Sequence, residues 1–155
     1  MQKELVILDD DKIYARRRVE ELEKEIQDLG PEFYEVFNQS SETWHDNAPF
    51  DALRDRQSVL AAELQNLRIV LRSSAISVPK LKKNTVGIGN VVTLENGKRY
   101  FIAGDWTPHA GQEKDGMLVV SAGTPLARAM IGKKPGDEIT AGKITSKIVA
   151  LGTAG

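Results

Sequence analysis

The sequence predicts an α+β protein, in which an N-terminal antiparallel α-helical coiled-coil hairpin precedes a small antiparallel β domain with one short helix. Three observations carry that prediction. Residues 12 to 76 are rich in Glu, Arg, Leu and Gln and hold a single glycine, whereas from Asn84 onward there are twelve. In the first stretch apolar residues recur at alternating spacings of three and four. In the second they form short β-branched runs separated by turn residues. The composition changes across "SVPKLKKNTVG", where Pro79 ends any helix and three lysines discourage packing. The expected organisation is a hairpin over 1–76 with its tip near 40–50, a linker over 77–84, and a β-rich domain over 85–155.

The first seam runs through Val19, Leu22, Ile26, Leu29, Phe33 and Val36, and the second through Leu53, Gln57, Leu60, Leu64, Leu67 and Leu71. This is the a/d pattern of helices that pack along a narrow stripe. The segment between the seams is short and polar, so the simplest arrangement is an antiparallel hairpin with arms of roughly 25 residues, about 38 Å each. Gly30-Pro31 falls inside the first arm, and a kink is expected there. Periodicity alone leaves open whether the seams pair within one chain, giving a monomer, or between two chains as a coiled-coil dimer.

In the second half, "NVVTLENGKRYFIAG" reads as two strands joined at Asn96-Gly97, and "GMLVVSAG" as a third. "TPLARAMIGKKPGDE" then forms a short helix, with Thr124 as N-cap, Pro125 at the first helical position and Gly132 at the end. Pro135-Gly136 turns the chain into "DEIT", and "KITSKIVAL" is the last strand.

Composition excludes several functions. At 41% apolar and 28% charged, the chain has enough core-forming residues for a folded soluble protein. A net charge of -1 supplies no global attraction to nucleic acid or to a membrane. The absence of cysteine removes disulfides, thiolate catalysis and cysteine-based zinc sites. "MQKELVILDDDK" turns acidic too soon for a secretory leader, and no apolar run approaches ~20 residues, so a cytoplasmic location is expected.

The run Thr124-Pro125-Leu126-Ala127-Arg128-Ala129-Met130-Ile131-Gly132-Lys133-Lys134-Pro135-Gly136-Asp137-Glu138 resembles the C-terminal signature of the bacterial Gre transcript-cleavage and elongation factors. There, Ser-Pro-Leu-Gly/Ala-Arg-Ala leads into Gly-Lys-Lys-x-Gly-Asp-Glu. "VVTLENGKRYFIAG" is similar to that family's first hairpin, and "DNAPFDALRDRQ" to the stretch that opens its second helix. The resemblance implies a coiled-coil hairpin followed by an FKBP-like domain, over essentially the whole chain. It also implies a partner, bacterial RNA polymerase. The C-terminal domain would bind the polymerase while the hairpin enters its secondary channel, and tip carboxylates would help hold a second Mg²⁺ that activates water to cut backtracked RNA. On this reading the chain is an accessory factor rather than an enzyme, with no metal of its own. The FKBP-like fold does not imply prolyl isomerase activity.

The family's tip reads Gly-Asp-x-x-Glu-Asn-Ala, and "SSETWHDNAPFDAL" stands in its place. Asp46-Asn47-Ala48 matches Glu-Asn-Ala with a side chain one methylene shorter. Counting back three puts the first carboxylate position at Thr43, which carries no charge, while Glu42 stands one residue earlier. The resemblance therefore makes Asp46 and Glu42 the candidate catalytic helpers, with Thr43, Trp44 and Asn47 as tip contacts. Asp46 and Asn47 are equally suited to cap the second helix. Trp44 suits a contact or a fold back onto Phe50. His45 has no partner at ligand spacing.

Leu126, Arg128, Lys133 and Lys134 are the expected polymerase-binding residues. Arg16, Arg17 and Arg18 form the densest cationic run, suited either to the channel or nascent RNA, or to ion pairs along the helix. Three functions stay open on the sequence. The first is a cleavage-stimulating factor. The second is a cleavage-deficient relative that occupies the channel and modulates transcription, motivated by Thr43. The third is a coiled-coil interaction or chaperone-like module unrelated to the polymerase.

Overall fold

In the computed structural model, which describes residues 4–40, 48–74, 81 and 84–153, the two heptad seams become helices α1 (Asp9–Ser40) and α2 (Ala48–Arg72). Leu22 and Leu29 of α1 and Leu60, Leu64 and Leu67 of α2 are buried. Val19, Ile26, Phe33, Val36, Leu53 and Leu71 are half-buried, and only Gln57 of the two seams is exposed. The seams face each other within one chain. Arg18 meets Glu63, Glu32 meets Arg56 and Phe33 meets Phe50, so partners fall along α2 as residue number rises along α1, the mark of antiparallel packing.

At Gly30-Pro31, where a kink is expected, α1 stays helical and runs through Pro31. Proline crowds the Cβ of the residue before it, and Gly30 has none. The carbonyl that loses its donor belongs to Gln27, an exposed residue where water can serve instead.

The described residues divide into two compact units. One is Ile13–Arg72, and the other combines Met1–Lys12 with Ser73–Gly155. Most of the expected linker, 77–80 with 82 and 83, lies outside the described residues. The second unit contains β1 (Asn90–Leu94), β2 (Arg99–Ile102), β3 (Glu113–Lys114), β4 (Met117–Val120), α3 (Pro125–Met130), β5 (Glu138–Ala141) and β6 (Ile144–Thr153). The strands form a six-stranded sheet in the order β3-β4-β2-β1-β6-β5.

Four of its five pairings are antiparallel, and β2 with β4 is parallel. A parallel pair needs a connection of a dozen residues or more, and the chain from Ala103 to Gly116 supplies it. The two-residue β3, which gave no sequence signal, is the end of that connection folding back on β4. The β1–β2 turn uses its glycine as expected. The Gly97 N–H donates to the Leu94 carbonyl at 2.9 Å and Gly97 takes φ +85°, so the loop is a three-residue turn with glycine in the left-handed position.

Long β6 serves both neighbours. Ile144–Lys147 pair with β5, and Ile148–Thr153 pair with β1 across a register shift between Thr93 and Leu94. The core of this unit is Val86, Val92, Leu94, Tyr100, Ile102, Val120, Ala127, Met130, Ile139 and Ile148, with α3 contributing Ala127 and Met130.

Candidate functional site

Three groups of residues were candidates from the sequence, and the structure treats each differently. The tip residues Glu42, Thr43, Trp44, His45, Asp46 and Asn47 lie outside the described residues. What is described is the pair of helix ends that the tip joins. Phe33 and Phe50 meet edge to face there, with ring centroids 5.6 Å apart at 74°, a favoured aromatic geometry. Tyr34 and Phe37 lie close by in sequence and are largely exposed, at 70% and 65%.

The arginine run divides. Arg16 and Arg17 are exposed and make no ion pair with a described residue. Arg18 points across to α2. Its Nε donates to Glu63 Oε2 at 2.6 Å and a terminal guanidinium nitrogen donates to Oε1 at 3.1 Å, the two-point fork of an arginine–carboxylate pair. The other terminal nitrogen reaches Glu21 at 3.2 Å, and Glu25 stands at 3.9 Å. The hydrogen bond from Arg18 holds the Glu63 carboxyl below its usual range and the carboxylates raise Arg18 further. Arg68 and Glu23 form a second cross-helix bridge at 2.8 Å. The periodicity that places Arg18 beside the seam was visible in the sequence, but its partner was not.

The third group surrounds α3. Thr124 caps the helix as expected: its Oγ1 accepts from the Ala127 N–H at 3.3 Å and donates to the Ser121 carbonyl at 2.9 Å. Leu126 is half-buried against the core, while Arg128, Lys133 and Lys134 are exposed. The chain after α3 is tied to the sheet side of the unit. Gly132, at φ +87°, donates to the Val86 carbonyl at 2.9 Å, and the Val86 N–H donates to the Lys133 carbonyl at 2.8 Å. Lys134 N–H donates to Asp137 Oδ2 at 2.9 Å, closing the turn through Pro135-Gly136. Three exposed cations thus lie on α3 and on a following segment held by backbone hydrogen bonds.

Sequence reasoning missed the opening segment. Leu5 to Leu8 pack within the second unit beside the loop that follows β2, with Ile7 almost fully buried. Asp11 is buried at the start of α1. Burial pushes its carboxyl up, and a hydrogen bond from Thr107 and the nearby His109 and Lys114 only partly offset that. The only available signal was the short apolar run "LVIL", which has no partner nearby in the chain. Among the described residues no group of three His, Asp or Glu is placed to hold a metal ion.

A two-helix hairpin joined to a small α+β sheet unit, with a cationic surface behind α3, is the class of protein these features define. Comparison with known proteins gives the family. Residues 81–151 match the family described as transcription elongation factor, GreA/GreB, C-term. A relative named transcription elongation factor GreA, from Francisella tularensis subsp. novicida (strain U112), is 35% identical over 118 residues, covering 68% of this chain and 70% of the relative. Another GreA, from Mesomycoplasma hyopneumoniae (strain J), is 26% identical over 139 residues, covering 86% and 87%. A solved structure of the transcription factor Gfh1 aligns over 97% of this chain and 99% of that one, at 20% identity and a TM-score of 0.46. The chain belongs to the GreA/GreB family of transcription elongation factors.

Proposed function

We propose that this Gre-family chain acts on bacterial RNA polymerase: it docks through the surface around α3 and places its helical hairpin in the secondary channel. The observation that carries this reading is the hairpin itself. Two seams close on each other within one chain, and the short stretch 41–47 that links them lies outside the described residues. Arg128, Lys133 and Lys134 supply the cationic docking face, Leu126 supports it from the core, and Arg16 and Arg17 are the arginines available to the channel wall or to nascent RNA.

At the tip, Asp46 and Glu42 would hold a Mg²⁺ shared with the polymerase. Carboxylate oxygens suit that hard ion, but two are too few for its octahedral shell of about six, so the polymerase must provide the remainder. When bound, such an ion supplies Lewis-acid activation of the water that cuts backtracked RNA. The chain's own contribution is delivery and orientation. Carboxylates between the two helices would arrive at a depth set by the hairpin's length, and Asn47 and Asp46 together suit the start of α2 by residue type. The chain has no catalytic centre of its own in this reading, and the cytoplasm, where the polymerase works, is its compartment.

Thr43 favours a second reading, in which the tip fills the channel without cutting, because a neutral hydroxyl stands where the family has a carboxylate. A transcript-cleavage assay on arrested polymerase, run with wild type, Asp46→Ala and Thr43→Asp, separates the two. Cleavage by wild type that Asp46→Ala abolishes supports the first reading. Inactive wild type that slows elongation and gains cleavage through Thr43→Asp supports the second. Absence of any effect on polymerase, with unfolded clients captured instead, would overturn both in favour of a chaperone-like module.

A further inference from the structure

Residues 5–8 precede the first helix and have no heptad register, yet Ile7 is 1% exposed. They are bracketed on two sides. On one, the Leu5 N–H donates to the Ser73 carbonyl at 2.7 Å and Leu5 forms a parallel bridge with Ser74. On the other, the Val6 N–H donates to Asp105 Oδ2 at 2.8 Å, and the Val6 carbonyl accepts from the Asp105 N–H at 2.6 Å. One residue thereby satisfies both main-chain groups of another, as a neighbouring strand would. The approach leaves no room for a side chain at position 104. A Cβ there would overlap the Val6 carbonyl oxygen and stand 2.9 Å from Ile7 Cα. Further along, the Thr107 hydroxyl donates to the buried Asp11 carboxylate.

Ile7 is fully buried but is not a member of the sheet unit's main hydrophobic cluster. The segment's main-chain hydrogen bonds run to Ser73 and Asp105, not to the strands of the sheet. We infer that residues 5–8 form a strap seated in a strand-binding slot, which Gly104 opens and Asp105 clips, and that this slot takes an extended apolar peptide segment and is filled in cis by the chain's own N-terminal run. Asp105 is its positioning residue. The strap opens as a local unit while the sheet stays folded, because its hydrogen bonds and those of β1 and β6 share no residue. This inference is independent of the polymerase reading.

Residue-resolved amide hydrogen exchange on the full chain tests it, with wild type, Asp105→Asn and Asp105→Ala. In wild type, the Leu5 and Val6 amides should exchange through a local opening insensitive to low denaturant, faster than the ladder amides of β1 and β6. Asp105→Ala removes a charged acceptor and should speed exchange at Val6 by roughly ten- to a hundredfold, leaving β1 and β6 unchanged. Trypsin should then cut sooner after Lys12, which is 8% exposed in the docked state. Asp105→Asn keeps an oxygen acceptor and should restore most of the protection. The inference is overturned if Val6 and the β1 amides exchange at one common rate in wild type, or if Asp105→Ala leaves Val6 exchange where it was.

Discussion

Arg18, one of the candidate contacts to the channel or nascent RNA, is the most heavily engaged ion-pair residue among those described, and its energetic role follows from that geometry. The perturbation is a double-mutant cycle of Arg18→Ala, Glu63→Ala and both together. A charged hydrogen bond in a buried setting contributes about 1.5–3 kcal/mol, and an exposed ion pair about 0.2–1 kcal/mol. The side chains here are 26% and 41% exposed, so the pair lies between those limits and the solvent-facing part must be discounted. Glu21 also remains beside Arg18 when Glu63 is removed, at 3.2 Å. The expected coupling energy is therefore about 1 kcal/mol. If the hairpin melts as its own unit of about 60 residues, that corresponds to roughly 4–8 °C in Tm.

The assay is far-UV circular dichroism with heat or urea. The pH dependence has a definite sign. Glu63 is held below its unfolded value, so its contribution is complete above the ordinary carboxylate range and is lost as pH falls through the lowered folded value. Molar salt should shrink the coupling as well. A coupling below about 0.3 kcal/mol at neutral pH and low salt, or one that persists undiminished in strong acid, would refute a stabilising role for this ion pair.

Three further outcomes follow from other contacts. Asp11 has its folded pKa raised, mainly by burial, from a model-compound value of 3.8. Its ionisation therefore costs stability as pH rises through the folded value, and Asp11→Asn should raise Tm at pH 7 by an amount that vanishes below the unfolded pKa, as measured by thermal melts across pH. Gly104→Val drives a branched side chain into the Val6 backbone and should unseat residues 5–8, read as faster exchange of the Leu5 and Val6 amides, where Gly123→Val, with open space around it, should not. Thr124→Ala removes the cap of α3 and should cost about 1 kcal/mol, with Thr124→Ser restoring most of it.

How much of the protein was legible in advance depends on how far each contact reaches along the chain. The seams through Leu22 and Leu64, the Asn96-Gly97 hairpin and the Thr124-Pro125 helix start all rest on periodicity or turn chemistry spanning a few residues, and the structure reproduces each. The helix continues through Gly30-Pro31, where Gly30 has no Cβ for the proline ring to crowd. The three-arginine run was legible as charge, but which arginine would be tied down required knowing that α2 brings Glu63 beside Arg18. The candidate tip was legible only as a comparison of letters with a family pattern.

By itself, then, the sequence determined the elements and the family: helices from the 3.6-residue period, strands and turns from alternation and glycine placement, and membership from the run around Leu126 to Glu138. Tertiary structure decided the pairings. The seams close within one chain, β2 and β4 lie parallel, and "LVIL" seats against a loop 99 residues away at Asp105. Which elements meet leaves no local signal, since these contacts form only once distant parts of the chain are in place, and the last also depends on a close approach that Gly104 permits.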